Sequence, residues 1–247
     1  MIFFSILGSI GAILAATGFV LLTERIQKAF VSMLISFATG TLLTTALIGL
    51  IPEAIESVGG ESHIVMPYVL GGILFFFFLE KFIIWRNCSD EDCDVHAAAG
   101  PIVLVGDAFH NFIDGIVIAA GFLTSFTVGL AAAIAIIAHE IPQETGDFGI
   151  LLHGGYSKKK AFIYNALSSI TTIPAALISY FILGSISFII PFALAISAAS
   201  FLYIALSDLT PELHKKWGLK QTLKQLVLIF AGVLIMILIF AFMGHNH

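Results

Sequence analysis

The chain has 247 residues, 59% hydrophobic and only 11% charged, where an ordinary soluble domain has roughly 25% charged. Its mean hydropathy is +1.04, and no water-soluble core hides that much apolar surface, so lipid must be the solvent for most of the chain. The net charge of −5 argues against a nucleic-acid partner, and the two cysteines, Cys88 and Cys93, share one short polar stretch that offers no disulfide framework.

A helix needs about 20 mostly apolar residues to cross the hydrocarbon layer. Residues 2–22 form the first such run. A secretory leader would carry positive charge ahead of its apolar run, whereas here Arg25 and Lys28 come after it, so the run reads as a first spanning helix. Further runs at residues 30–55, 65–85, 102–123, 127–152, 161–183, 186–206 and 226–243 complete eight predicted spans. Helices are the expected form, because lipid leaves no backbone group unpaired without cost. The expectation is an all-α membrane protein with a single transmembrane domain over residues 1–247.

The basic residues orient these spans. Arg25 and Lys28 follow span one, Lys81 and Arg86 end span three, and Lys158, Lys159 and Lys160 follow span five. Lys215, Lys216, Lys220 and Lys224 follow span seven, which accounts for all 11 Lys and Arg on one side. The positive-inside rule makes that side cytoplasmic and leaves both termini outside, in a multi-pass protein of the cell membrane. Glu53, Glu56, Glu61 and His63 fall opposite, in an acidic outer loop.

Span two ends ALIGLIPE (46–53) and span seven ends ALSDLTPE (205–212), identical at five of eight positions. By the topology above one motif ends outside and the other inside. Helices one to three and six to eight would then form an inverted repeat around helices four and five, a 3+2+3 plan, and transporters often place their site at such an interface. Leu-x-Pro-Glu is also a common way to finish a membrane helix, so the sequence leaves both readings open.

Spans four and five carry groups that lipid would reject. Five carboxylates (Asp107, Asp114, Glu140, Glu144, Asp147) and two imidazoles (His110, His139) fall inside them. An Asp at a helix centre costs roughly 2.5–3.5 kcal/mol on insertion scales, so these groups must face the bundle interior. No Lys or Arg lies deep in a span to meet them, which makes a bound cation the simplest partner. At about 100° per residue, Asp114, Asp107 and Asn111 lie within about 100° of His110, and Gln143, Asp147, Glu140 and Glu144 within about 140° of His139. Each set occupies one face. Pro142 leaves the Ala138 carbonyl without its helical partner, while Gly115 and Gly146 permit close backbone approach. Imidazole with carboxylate suits zinc, iron(II), manganese or cobalt; calcium and magnesium prefer oxygen alone, and copper(I) prefers sulfur, absent from both spans. Five anionic groups leave room for a binuclear site.

At these residues the sequence resembles the ZIP family of divalent-metal transporters. HNFIDG (110–115) resembles its fourth-helix motif, and HEIPQETGD (139–147) the extended fifth-helix HExPxExGD pattern. The resemblance implies a homodimeric carrier in the lipid bilayer that moves zinc, or iron, manganese, cobalt or cadmium, toward the cytoplasm by elevator-like motion of one helix bundle against another. Carried over by position, it implies metal ligands at His110, Asn111, Asp114, His139, Glu140 and Gln143, with Asp107, Glu144 and Asp147 on the metal pathway. Many relatives of this branch have a second His where Gln143 stands, and an Asp or His late in span two where this chain has Thr44, Thr45 and Gly49.

Several outlying features belong to the same reading. His153, at the inner end of span five, is a candidate exit ligand, and Asp208 a helix-end or gating contact. The cytoplasmic stretch at about 86–98 gathers Cys88, Cys93 and His96 with four carboxylates; it is either a metal-receiving loop or a solvated acidic one. His245 and His247 read as a frayed tail, and Ser168 and Ser169 as helix-packing residues. An enzyme reading fares worse: HEIPQ departs from the HExxH metalloprotease pattern at Gln143, and GGYSKKK lacks the end of a P-loop. The expectation is a transporter driven by the ion's own gradient, not an enzyme.

Overall fold

A computed structural model describes residues 1–20, 23–87, 99–215 and 218–243. Among the described residues every regular element is helical. Eight helices follow in order: α1 (residues 2–20), α2 (24–57), α3 (Ser62–Asn87), α4 (Ala99–Thr124), α5 (Phe126–His153), α6 (158–185), α7 (187–214) and α8 (Leu219–Met243). Seven of these are long and apolar enough to cross a membrane; the apolar part of α1, Ile2–Gly18, is shorter. Most helices run past the expected edges. The apolar count stopped at charged residues, whereas α7 continues through Asp208 and Glu212, and α8 begins seven residues early at Leu219 to include Lys220 and Lys224. Long charged side chains at a helix end reach the aqueous interface without ending the helix.

The helices form two groups. In one, α4 packs against α5 and α6, and α1 against α5; in the other, α2 packs against α8 and α3 against α7. The groups meet where α2 crosses α5 and α7 crosses α4. Glycines set the closest crossings. A Cβ on Gly40 would fall 2.2 Å from the Ile229 carbonyl oxygen, and one on Gly232 2.5 Å from that of Phe37, so α2 and α8 touch backbone to backbone. Gly115 does the same for α4 and α6, where its Cβ would fall 2.5 Å from the Thr172 carbonyl oxygen. Gly146, for which the sequence suggested a similar use, has no neighbour within 4 Å of that point.

Two internal irregularities match. In α2 the segment Thr45–Leu50 is a π turn, with the Ile51 N–H bonding the Ala46 carbonyl. In α7 the segment Ile204–Leu209 is another, with the Thr210 N–H bonding the Ala205 carbonyl. The two segments hold the same register on the repeated ALxxLxPE motif. Each precedes a proline (Pro52, Pro211) that lacks an N–H and crowds the carbonyl four residues back, which opens the preceding turn. Packing is reciprocal as well: α7 lies on the π turn of α2, and α2 on that of α7. This supports a repeat over a coincidence of helix endings. Helix α6 is broken at Ile170 and Thr171 between Lys158–Ser169 and Thr172–Ser185.

Candidate metal site

Geometry at the site starts from the α4–α5 connection. Ser125 alone links the two helices, extended at φ −157°, and its hydroxyl accepts the Val128 N–H at 3.2 Å to cap α5. So short a turn forces antiparallel neighbours. Gly121 lies against Gly129, His110 against His139 and Asp107 against Gln143. The members of each pair lie equally far from Ser125 to within one residue. The polar faces therefore meet as a matter of chain register.

Four side chains converge: His110 and Asp114 of α4, His139 and Glu140 of α5, each offering a ligand atom within 4.8 Å of the others. His110 Nε2 lies 3.1 Å from His139 Nε2, 3.4 Å from Glu140 Oε1 and 3.8 Å from Asp114 Oδ2. His139 Nε2 lies 3.3 Å from Asp114 Oδ2 and 3.5 Å from Glu140 Oε1. Zinc bonds of about 2.0–2.2 Å to imidazole nitrogen and carboxylate oxygen put the corners of a tetrahedron roughly 3.3–3.6 Å apart. The five edges bracket that value. An ion at the centre would meet four donors with small adjustments.

The surroundings suit a cation. His139 Nδ1 lies 2.9 Å from the Ala135 carbonyl oxygen; a carbonyl only accepts, so Nδ1 carries the hydrogen and a neutral ring turns the Nε2 lone pair to the centre. Both oxygens of Asp114 and both of Glu140 are buried with no hydrogen-bond donor, and every lysine whose side chain is described is exposed. Phe201 of α7, itself fully buried, stands 6.1 Å from His139 ring to ring and closes that side against water. His110 is the one partly open member, with 18% of its side chain accessible against none for the other three.

The other expected ligands are placed differently. Asn111 donates to Asp107 Oδ1 at 3.0 Å and to the Asp107 carbonyl at 3.2 Å, while its own oxygen accepts from the Thr172 hydroxyl of α6 at 2.9 Å. Gln143 donates to the same Asp107 oxygen at 3.1 Å. Both amides thus hold Asp107 instead of joining the four. Glu144 is fully buried and Asp147 partly so, further along α5. His153 ends α5 with its side chain outside the described residues, as are Cys88, Cys93, His96, His245 and His247. Asp208 lies exposed on the π turn of α7, near the hydrogen bond that Tyr203 donates to Glu80 of α3.

Helix α6 contributes groups that the sequence did not single out. Besides Thr172, Asn165 donates to the Glu144 carbonyl at 3.1 Å, and the Thr171 hydroxyl donates to that of Ala108 at 2.8 Å. An Asn inside an apolar span was the available signal.

Comparison with known proteins agrees with this site. The family model described as ZIP Zinc transporter matches residues 85–240. The chain is 33% identical over 222 residues to zinc transporter ZIP13 of Pongo abelii, covering 83% of this chain and 65% of that one. It is 36% identical over 144 residues to zinc transporter zipt-7.2 of Caenorhabditis elegans, covering 55% and 30%. It is 40% identical over 112 residues to zinc transporter ZIP10 of Mus musculus, covering 45% and 13%. The chain therefore spans less than two thirds of the length of these relatives.

Proposed function

Because the chain belongs to the ZIP zinc transporter family, we propose that it carries divalent transition-metal ions, zinc foremost, across a membrane toward the cytoplasm. The observation that carries this reading is the convergence of two imidazole nitrogens and two carboxylates that no protein cation neutralises. A dipositive ion bound there cancels the charge and supplies the electrophile that the four donors lack. We assign the ion to His110, Asp114, His139 and Glu140, with Asn111 and Gln143 bordering it and Asp107, Glu144, Asp147 and His153 along the way inward.

Direction follows from charge and position. The basic residues make the inner side cytoplasmic; on that topology α5 runs inward from His139 to Asp147, and both termini lie outside. A membrane potential of 100 mV, negative inside, then adds about 4.6 kcal/mol to the inward movement of a divalent ion, twice the single-charge value. The grouping of α1, α4, α5 and α6 against α2, α3, α7 and α8 suits the sliding of one group on the other, since all four ligands ride on one of them. A homodimer is part of the proposal on family likeness alone.

Zinc uptake into proteoliposomes tests the proposal. Glu140→Ala and His139→Ala should each lower the rate at least tenfold, and cobalt and cadmium should compete with zinc for the wild-type protein. Uptake unchanged in both variants would remove the assignment.

A further inference from the structure

Beyond the four ligands lies a second set of buried atoms without partners. Asp107 Oδ2, both carboxylate oxygens of Glu144, the Asn165 amide oxygen and the Ser169 hydroxyl are all buried and lack a hydrogen bond. Burying a polar group unpaired costs about 1–3 kcal/mol, more when it is charged, so five such atoms in one region call for a common partner. Contacts tie the region together. Asn165 donates to the backbone of Glu144, Ser169 stands beside the Glu144 carboxylate, and Glu144 and Asp147 both interact electrostatically with Asp107.

The Asp107 carboxylate is preset. Its Oδ1 takes one N–H from Asn111 and one from Gln143, and Asn111 is itself held by Thr172. Three helices thus fix the group and leave Oδ2 free. Every unpartnered atom in this set is oxygen, where the first site has two nitrogens. The set also lies to one side of the first site: Asp107 precedes His110 on α4, Glu144 follows Glu140 on antiparallel α5, and on the proposed topology that side is the cytoplasmic one.

We propose that Asp107, Glu144, Asn165 and Ser169, with Asp147 at the edge, form an inner oxygen-only station that receives the divalent cation as it leaves the His110, Asp114, His139 and Glu140 site. The inference rests on the transport reading and deepens it. Oxygen ligands bind a borderline ion such as zinc more weakly than imidazole does and tolerate retained water. An ion therefore steps from a tight site to a looser one, and multi-site passage needs such a step if the ion is to leave. Gln143, by this account, helps to position Asp107.

Cobalt(II) alone, titrated into the full-length protein in detergent, tests the station, because the absorption of the ion reports its coordination. The wild-type protein should bind two equivalents: a first with the intense visible bands of a four-coordinate nitrogen and oxygen site, and a second with the weak bands of a six-coordinate oxygen site. Asp107→Asn combined with Glu144→Gln should remove the second and keep the first, whose bands in the same sample show that the fold is intact. Glu140→Ala should remove the intense bands. One equivalent in the wild-type protein, or a second equivalent that survives the double variant, would overturn the station. Intense bands that survive Glu140→Ala would instead overturn the first site and the transport reading built on it.

Discussion

At the scale of single residues, helical spacing proved a good guide to faces and a poor one to reach. The wheel put Asn111 and Gln143 on the polar faces with the histidines, and both do lie there, yet their amides bond Asp107. An angle about a helix axis says nothing of how far a side chain extends or which neighbour competes for it. Here the competitor is a buried carboxylate that needs donors, and amides can donate whereas Asp114 and Glu140 cannot. The four convergent ligands were legible because charged groups in lipid leave few alternatives. Thr172 and Asn165 were not, because small neutral polar groups also serve ordinary helix packing. Thr172→Val tests the value of the Asn111 contact. It leaves a buried amide oxygen without its donor, so stability in detergent should fall by about 1–3 kcal/mol, read as a lower thermal midpoint, and Thr172→Ser should restore it. An unchanged midpoint in the Val variant would show that Asn111 finds another partner.

Among the elements, the α4–α5 pair depends on its single-residue connection. One Ala inserted after Ser125 would turn α5 by about 100° relative to α4, carrying His139 and Glu140 away from His110 and Asp114. We expect zinc affinity, followed by isothermal titration, to drop at least a hundredfold, with helix content by circular dichroism nearly unchanged. Retained affinity would mean that the register is set elsewhere. Gly115→Val tests the α4–α6 crossing: its Cβ would fall 2.5 Å from the Thr172 carbonyl, and backbone cannot give way as a flexible side chain can. The variant should unfold at lower temperature and lose part of its transport. The π turns in α2 and α7 and the break in α6 lay beyond sequence reading, because a 3.6-residue period is assumed before any wheel is drawn. Their prolines, Pro52 and Pro211, were the only hint.

The whole molecule was the most legible level. Lipid as solvent dictated helices, and hydropathy located all eight, though α1 is the shortest and least certain to span. Two groups of four helices could not have been read from one sequence, since contacts between distant helices leave no periodic signature. The orientation remains open to a direct test. In a cysteine-free background, Ser157→Cys should react with a membrane-impermeant maleimide only from the cytoplasmic side, and Ser62→Cys only from outside. The reverse pattern would invert the topology and the direction of transport with it. Finally, the matched π turns order two events in the ancestry of the chain. Each π turn holds one residue more than the α turn it replaces, at the same distance from the same Pro-Glu pair. Separate gains in two unrelated helices have no reason to agree in position. If the halves descend from one gene segment, the insertion is the older event, and duplication copied it.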